Sequence, residues 1–306
     1  MTSSHTDDIT EGFVQFNIPS LPDKPCHTYY KVIGTLASDT TPLIALHGGP
    51  GVNHEYLNIL ADLRIPLVVY DQIGTGKSTH YPEKMGDTSF WIEQLFLDEL
   101  DTLLRHLGLQ DNYDLAGHSW GGMLAARHAA LQPKGLRRLV LMSAPADMQL
   151  WIQSQNRLRK QLPQTVQDVM ADHEANNTTE SKEYQEAMGV FYAHFLCRLD
   201  PMPEPIVNGF AEVAKDPTVY LTMNGPSEFH ITGPLANWSI VQDAHKITAP
   251  TLITNGQFDE AQDEVIAPFL KEIANVKWVK FSNSSHMAHF EERERFMQEV
   301  SSFLRL

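Results

Sequence analysis

The chain has 306 residues, of which 42% are hydrophobic and 20% are charged, and it contains no long apolar run. These proportions exclude an intrinsically disordered chain and offer no candidate for a transmembrane helix. The 23 basic and 38 acidic residues give a formal net charge of −15, which opposes binding to nucleic acid or to an anionic membrane surface.

Eight short apolar runs, bounded by turn residues, predict β-strands. They alternate with segments of helical periodicity, which is typical of a largely parallel sheet with helices on both faces, so we predict an α/β fold. Between the fourth and fifth strands, leucines at 97, 100, 104 and 107 predict a helix. The predicted strands cover residues 13–18, 28–33, 43–46, 67–70, 113–116, 138–142, 251–254 and 277–281.

The region of residues 145–236 differs from the rest of the chain. It is polar and helix-like, it lacks β-rich runs, and it contains prolines at 163, 201, 203 and 205. The strand pattern resumes after Pro250. We therefore expect a core formed by residues 1–144 and 237–306, with residues 145–236 inserted as a helical cap over the ends of the strands.

The stretch YDQIGTGKSTH, residues 70–80, contains part of the pattern of a phosphate-binding P-loop. That pattern, G-x-x-x-x-G-K-S/T, needs a glycine five residues before Gly76, and Asp71 occupies this position. A carboxylate there would repel the phosphate that the loop should hold. We therefore predict no nucleotide cofactor and assign the loop a supporting role.

The stretch LAGHSWGG, residues 115–122, predicts a nucleophile elbow between a strand and an apolar helix. Glycines at 117 and 121 are needed because the turn is too tight for side chains at these positions. The turn lifts the Ser119 hydroxyl clear of the sheet, and it directs the N–H of Trp120 towards the group that Ser119 attacks. Ser119 is therefore the candidate nucleophile.

A serine nucleophile needs a base, and the base needs a carboxylate that orients it. Asp259 ends a late strand and His286 follows the last one, so both are expected at the same edge of the sheet as Ser119. Asp263 and Glu264 are alternative acids, although they fall in the following helix. His289, three residues after His286, is the alternative base.

The stretch HGGPG, residues 47–51, follows the third strand. Adjacent glycines let its backbone approach a substrate closely. We predict that the N–H groups of Gly49 and Trp120 form an oxyanion hole.

Cysteine and histidine usage indicates neither a disulfide framework nor a metal site. Cys26 and Cys197 are the only cysteines, and the 14 histidines include no H-E-x-x-H pair. We expect no metal and no cofactor. The polar, acidic start of the sequence lacks the features of a secretory signal, so a cytoplasmic location is expected.

Six motifs in order resemble the proline iminopeptidases, which are serine peptidases of the α/β-hydrolase fold and include the tricorn-interacting aminopeptidase factor. The resemblance implies Ser119 as nucleophile, Asp259 as orienting acid and His286 as base. One departure is His118, where the family often has glycine or another small residue. The motifs are HGGPG at 47–51, DQIGTGKS at 71–78, GHSWGG at 117–122, MNGPSEF at 223–229, NGQFDE at 255–260 and SHMAHFEER at 285–293.

The resemblance also implies that Glu228 and Glu260 hold the free amino group of the substrate. Two carboxylates supply the opposite charge and the hydrogen-bond acceptors that a protonated amine needs in a partly dry cleft. An amine fixed there presents the first carbonyl to Ser119, so a single residue is removed.

From these features we expect an enzyme that releases an amino-terminal residue from peptides or amino-acid amides through an acyl-enzyme. Proline is the residue that we expect it to release. Two alternatives remain. One is an amidase, esterase or acyltransferase of small amino-acid derivatives that uses the same triad. The other is a non-catalytic binding protein on a hydrolase scaffold, which the intact triad opposes.

Overall fold

The structure, a computed structural model, describes residues 8–37 and 40–305. Within these residues eight strands form one sheet in the order β1-β2-β4-β3-β5-β6-β7-β8. β1 and β2, and β2 and β4, pair antiparallel, and all the other neighbours pair parallel. The strands are β1 Ile9–Phe16, β2 Cys26–Ile33, β3 Leu43–Leu46, β4 Leu67–Tyr70, β5 Tyr113–His118, β6 Leu136–Met142, β7 Thr251–Gly256 and β8 Val276–Phe281.

All eight predicted strands are present, but the first is displaced. β1 begins four residues earlier than predicted and ends at Phe16, so Ile18 lies outside it although its side chain is buried. β1 lies at the edge of the sheet, where Ile9 and Phe13 are exposed while Val14 and Phe16 are buried. An exposed, partly polar edge strand gives a weak apolar pattern, which explains the displacement.

The strands carry apolar side chains on both faces because helices cover both sides of the sheet. In β3, Ile44 and Leu46 belong to the core on one face, and Leu43 and Ala45 belong to the core on the other. The predicted helix is α1, in which Leu97, Leu100 and Leu104 are buried. The helices are α1 Glu93–His106, α2 Trp120–Ala130, α3 Met148–Arg159, α4 Gln164–Ala175, α5 Lys182–Phe195, α6 Glu204–Lys215, α7 Thr218–Met223, α8 Asp263–Glu272, α9 Ala288–Glu291 and α10 Arg293–Leu304, with short 3-10 helices at Glu55–Leu63, Pro82–Lys84, Pro234–Asn237 and Ala244–Lys246.

The chain between β6 and β7 contains helices α3 to α7 and no strand within the described residues. It leaves the core and returns to it at one place. There, Met148 N–H donates to the carbonyl of Trp238, and Ile240 N–H donates to the carbonyl of Ala146. The division into core and cap at residues 145 and 236 stays a prediction.

Strands β3 to β8 all run in the same direction, so the loops that follow them meet at one edge of the sheet. These loops carry His47, Asp71, Ser119, Asp259 and His286. Across the part of the chain that the structure describes, none of the helices has the length and apolarity needed to cross a membrane.

Candidate active site

Ser119 occupies the tight turn between β5 and α2. Its backbone has φ 54° and ψ −122°, a conformation that residues with side chains rarely adopt. A Cβ atom at Gly117 would collide with the backbone of Gly121, and one at Gly121 would collide with the carbonyl of Leu46. The turn can therefore close only with glycine at these two positions.

His286 and Asp259 form a buried hydrogen-bonded pair. Nδ1 of His286 lies 2.7 Å from Oδ1 of Asp259, and neither side chain is open to solvent. The Asp259 carboxylate also accepts hydrogen bonds from Ala261 N–H at 2.7 Å, Gly256 N–H at 3.0 Å and the Ser143 hydroxyl at 2.6 Å. Because Nδ1 is engaged by Asp259, Nε2 is the ring nitrogen left for a proton from Ser119.

The alternative acids have other partners, and the alternative base packs beside the elbow, with 5.1 Å between the ring centroids of His289 and His118. Asp263 begins α8 and pairs with Lys280, and Glu264 pairs with Arg157. His289 is buried, and its Nε2 has no hydrogen-bond partner among the described residues. None of the three contacts the other members of the predicted triad in the way that Asp259 contacts His286.

Ser119 and His286 line the same pocket, together with Gly48, Gly49 and Glu228. The pocket is otherwise mostly apolar, with the side chains of Val52, Tyr56, Leu196, Ile206, Phe210 and Met287 around it. A substrate in this pocket would contact the candidate nucleophile and the candidate base at once.

Anionic neighbours control the charge of His286. Burial by itself lowers the pKa of the ring because it disfavours the imidazolium. The charge of Asp259 and its hydrogen bond outweigh burial, Glu260 and Glu228 add their charges, and the pKa rises to about 9. A proton acceptor must be neutral, so a cation that cancels the charge of the two glutamates would bring this pKa closer to neutrality.

Glu260 and Glu228 are the carboxylates assigned to the substrate amine. Glu260 is fully buried, and neither of its carboxylate oxygens has a hydrogen-bond partner in the described part of the chain. Glu228 is partly buried and lines the pocket, with Oε1 3.4 Å from Oη of Tyr220. Burial raises the pKa of Glu260 to about 8 and that of Glu228 to about 7. Within the described residues Glu260 therefore lacks an ion pair and the donors that would satisfy it, whereas Glu228 has one long hydrogen bond, from the Tyr220 hydroxyl.

The two candidate oxyanion donors belong to segments next to Ser119, the start of α2 and the loop after β3. Trp120 is the first residue of α2, so its N–H has no acceptor within the helix. A Cβ atom at Gly48 would lie 3.2 Å from Cβ of Ser119, which shows how closely the loop after β3 approaches the serine. Gly48 N–H donates to Tyr56 Oη at 2.7 Å, whereas Gly49 N–H has no acceptor within residues 8–37 and 40–305.

Several residues of the site were missed by sequence reasoning. Ser143 follows β6 and donates to Asp259, and Tyr56 accepts from Gly48 N–H. Trp151 in α3 donates its indole N–H to the Glu228 carbonyl at 2.8 Å. Only Ser143 had a signal in the sequence, since it follows a parallel strand and must lie at the same edge as the other loops.

No group of three or more His, Cys, Asp or Glu side chains in residues 8–37 and 40–305 is arranged to hold a metal ion. Cys26 and Cys197 are buried free thiols.

Comparisons with known proteins show the fold and the family of this chain. Residues 41–293 match the family model of the alpha/beta hydrolase fold. The proline iminopeptidase of Saccharolobus solfataricus is 36% identical, over 90% of this chain and 88% of its own. The crystal structure of a Mycobacterium smegmatis proline iminopeptidase superposes with a TM-score of 0.87 at 37% identity, and that of VinJ with 0.92 at 44% identity; each comparison covers 97% of this chain and 98% of the other.

Proposed function

The chain belongs to the proline iminopeptidase family of the α/β-hydrolase fold, and from this membership we propose that it is a serine hydrolase that releases amino-terminal proline from peptides. The observation that carries the proposal is the buried carboxylate of Glu260, which has no hydrogen-bond partner among the described residues and interacts electrostatically with Glu228 and His286, two residues that line the pocket. The ammonium group of a peptide amino terminus would supply the missing charge and donors.

In the proposed first step, Ser119 Oγ adds to the carbonyl carbon of the amino-terminal residue, and its proton passes to Nε2 of His286. Asp259 keeps the ring oriented through the 2.7 Å hydrogen bond to Nδ1. The N–H groups of Gly49 and Trp120 stabilise the oxyanion, a contribution of about 100-fold to 1000-fold per donor. The C–N bond then breaks as His286 returns the proton to the leaving amine.

Deacylation repeats these steps with water. His286 takes a proton from water, the hydroxide adds to the acyl carbon, and Ser119 leaves with the proton that His286 returns. The Glu228 and Glu260 carboxylates limit the enzyme to one residue per cycle, because an amine bound there brings the first carbonyl to Ser119. A cytoplasmic location stays a prediction from the sequence.

The proposal is tested with four substrates: prolyl p-nitroanilide, its N-acetyl form, prolinamide and p-nitrophenyl acetate. We expect rapid cleavage of the free prolyl anilide and at least a 100-fold lower kcat/KM for the blocked form, since acetylation removes the charge that the glutamates bind. The Ser119→Ala variant should cleave none of them. Equal rates on the free and blocked anilides would refute the anchoring of the amine, and faster turnover of prolinamide than of prolyl p-nitroanilide would favour the amidase alternative.

A further inference from the structure

His47, the first residue of the HGGPG motif, is completely buried and uses both nitrogens of its ring. Nδ1 lies 3.0 Å from the carbonyl oxygen of Gly48. On the other side of the ring, Gln72 N–H donates to Nε2 at 3.0 Å. The ring therefore joins the loop after β3 to the DQIGTGKS loop after β4.

These partners determine which nitrogen of His47 carries the proton. The Gly48 carbonyl can only accept, so Nδ1 must donate, and Gln72 N–H can only donate, so Nε2 must accept. Burial lowers the pKa of His47 to about 4, which is consistent with a neutral ring at pH 7. The arrangement at both nitrogens requires the same form, the neutral Nδ1–H tautomer.

The carbonyl that His47 binds belongs to the same peptide group as the N–H of Gly49. This peptide is trans, because the cis bonds of the described chain are Gly49–Pro50 and Asp200–Pro201. In a planar trans peptide the carbonyl and the N–H point in opposite directions. Since the Gly48 carbonyl points to His47, the Gly49 N–H points away from it.

Gln72 also links this loop to the second oxyanion donor. Its side-chain amide donates to the His47 carbonyl at 3.0 Å and accepts the indole N–H of Trp120 at 2.9 Å. All of these groups are buried. The segments that carry Gly49 and Trp120 are thus attached to the same side chain.

We propose that His47, held by Gln72, is a positioning residue that sets the direction of the Gly49 N–H and so forms the oxyanion hole. The proposal rests on the proposed function in one respect, the assignment of Gly49 as a donor. If the hydrogen bond to the Gly48 carbonyl is lost, the peptide is free to rotate and the donor leaves the reaction centre. His47 does not touch the substrate.

Two substitutions test the two hydrogen bonds of the His47 ring one at a time. His47→Asn places an amide where Nδ1 was and keeps a donor for the Gly48 carbonyl. His47→Gln places an amide where Nε2 was and keeps an acceptor for Gln72 N–H only. We expect His47→Asn to stay within about tenfold of the wild-type kcat and His47→Gln to lose about 100-fold, with KM and inhibition by free proline unchanged in both.

The same variants are tested with diisopropyl fluorophosphate, whose attack by Ser119 develops negative charge on oxygen but needs no substrate amine. The rate of inactivation should follow the order wild type, His47→Asn, His47→Gln. If the wild type reacts with this reagent but does not cleave prolyl anilides, the proposed function fails while the comparison of the two variants still decides the role of His47.

His128→Asn is the matched control, because His128 is another buried histidine, with Nε2 2.6 Å from Oη of Tyr113, and it does not line the pocket. Its activity per folded molecule should equal that of the wild type. A measurement on the wild type alone is the ¹⁵N NMR spectrum of the histidine rings at pH 7, which should show the Nδ1–H tautomer for His47. An Nε2–H tautomer, or equal loss of kcat in the Asn and Gln variants, would overturn the proposal.

Discussion

Oη of Tyr56 lies 3.0 Å from Nδ1 of His118, and this hydrogen bond connects the loop after β3 to the residue before Ser119. Tyr56 also accepts the Gly48 N–H, and Nε2 of His118 lies 3.0 Å from the carbonyl oxygen of His286. Since that carbonyl can only accept, His118 donates from Nε2 and accepts the Tyr56 hydroxyl proton at Nδ1. One chain of hydrogen bonds therefore joins the oxyanion loop, the elbow and the candidate base.

Tyr56→Phe removes the hydroxyl group at the middle of this series of hydrogen bonds. Gly48 N–H and Nδ1 of His118 would remain buried without partners, which should cost about 1–3 kcal/mol of unfolding free energy. We also expect kcat to fall about tenfold, because small displacements of reacting groups are costly. Tyr113→Phe is the control, since its buried hydroxyl is hydrogen-bonded to His128. Both variants should lose stability in urea unfolding, but kcat should fall only in Tyr56→Phe, and equal kcat values in the two would contradict this role.

Glu228→Gln and Glu260→Gln keep the shape of each side chain and remove its charge. We expect kcat/KM for prolyl p-nitroanilide to fall about 100-fold in each, because a charge-assisted hydrogen bond to the substrate ammonium is lost. The plateau rate of p-nitrophenyl acetate hydrolysis, above the pH at which His286 titrates, should change less than about threefold, because this ester has no amine for the glutamates to bind. Glu264→Gln, whose side chain pairs with Arg157, is the control and should leave both rates unchanged. Equal losses on both substrates would mean that the two glutamates are structural.

The pH dependence of ester hydrolysis should shift in Glu260→Gln. The negative charge of Glu260 contributes to the raised pKa of His286, and at the pH where His286 titrates Glu260 is itself ionised. Removing that charge lowers the pKa of His286, so the ring becomes a neutral proton acceptor at lower pH. The acidic limb of the kcat/KM profile for p-nitrophenyl acetate should therefore move down by about one pH unit. An acidic limb that stays at the wild-type pH would mean that the charge of Glu260 does not act on His286.

Glu99 in α1 predicts a pH dependence of stability. It is completely buried beneath the DQIGTGKS loop, where it accepts hydrogen bonds from Thr28 Oγ1 and Ile73 N–H. Burial raises its pKa from 4.5 to about 8. Between these values the folded chain binds more protons than the unfolded chain, so the unfolding free energy falls as pH rises, by about 1.4 kcal/mol per pH unit.

Glu99→Gln keeps an acceptor oxygen and cannot ionise, so it should abolish this contribution. Urea unfolding at pH 5 and pH 8 should show that the variant gains stability relative to the wild type as pH rises. Glu186→Gln, at an exposed position of α5, should leave the difference between the two pH values as it is in the wild type. Parallel pH profiles for the wild type and Glu99→Gln would rule out the ionisation of Glu99 as the cause.

The sequence motifs predicted which residues lie at the edge of the sheet where the strands β3 to β8 end. They did not predict the hydrogen bonds that hold those residues in place. Ser119, Asp259 and His286 follow strands of clear apolar pattern, and parallel strands bring their loops together whatever the details of packing. Their catalytic roles stay predictions. Tyr56 and Gln72 could not be found in this way, because a strand pattern locates a loop but does not give the direction of its side chains. His118 likewise requires the tertiary structure, since its partners are 62 and 168 residues away.

The glycine-rich loop that resembles a phosphate site already encloses an anion of its own. Asp71 accepts hydrogen bonds from Lys77 N–H at 2.8 Å and from both His54 N–H and His54 Nδ1, and a side chain at Gly76 would collide with its carboxylate. Other backbone donors of the loop are also used within the chain, since Ile73 N–H donates to Glu99 and Gln72 N–H donates to His47. A tethered carboxylate has a very high effective concentration, which a free phosphate would have to exceed to displace it. The Asp71 carboxylate therefore occupies the loop permanently. The loop fixed in this way holds Gln72, the next residue, which in turn holds His47.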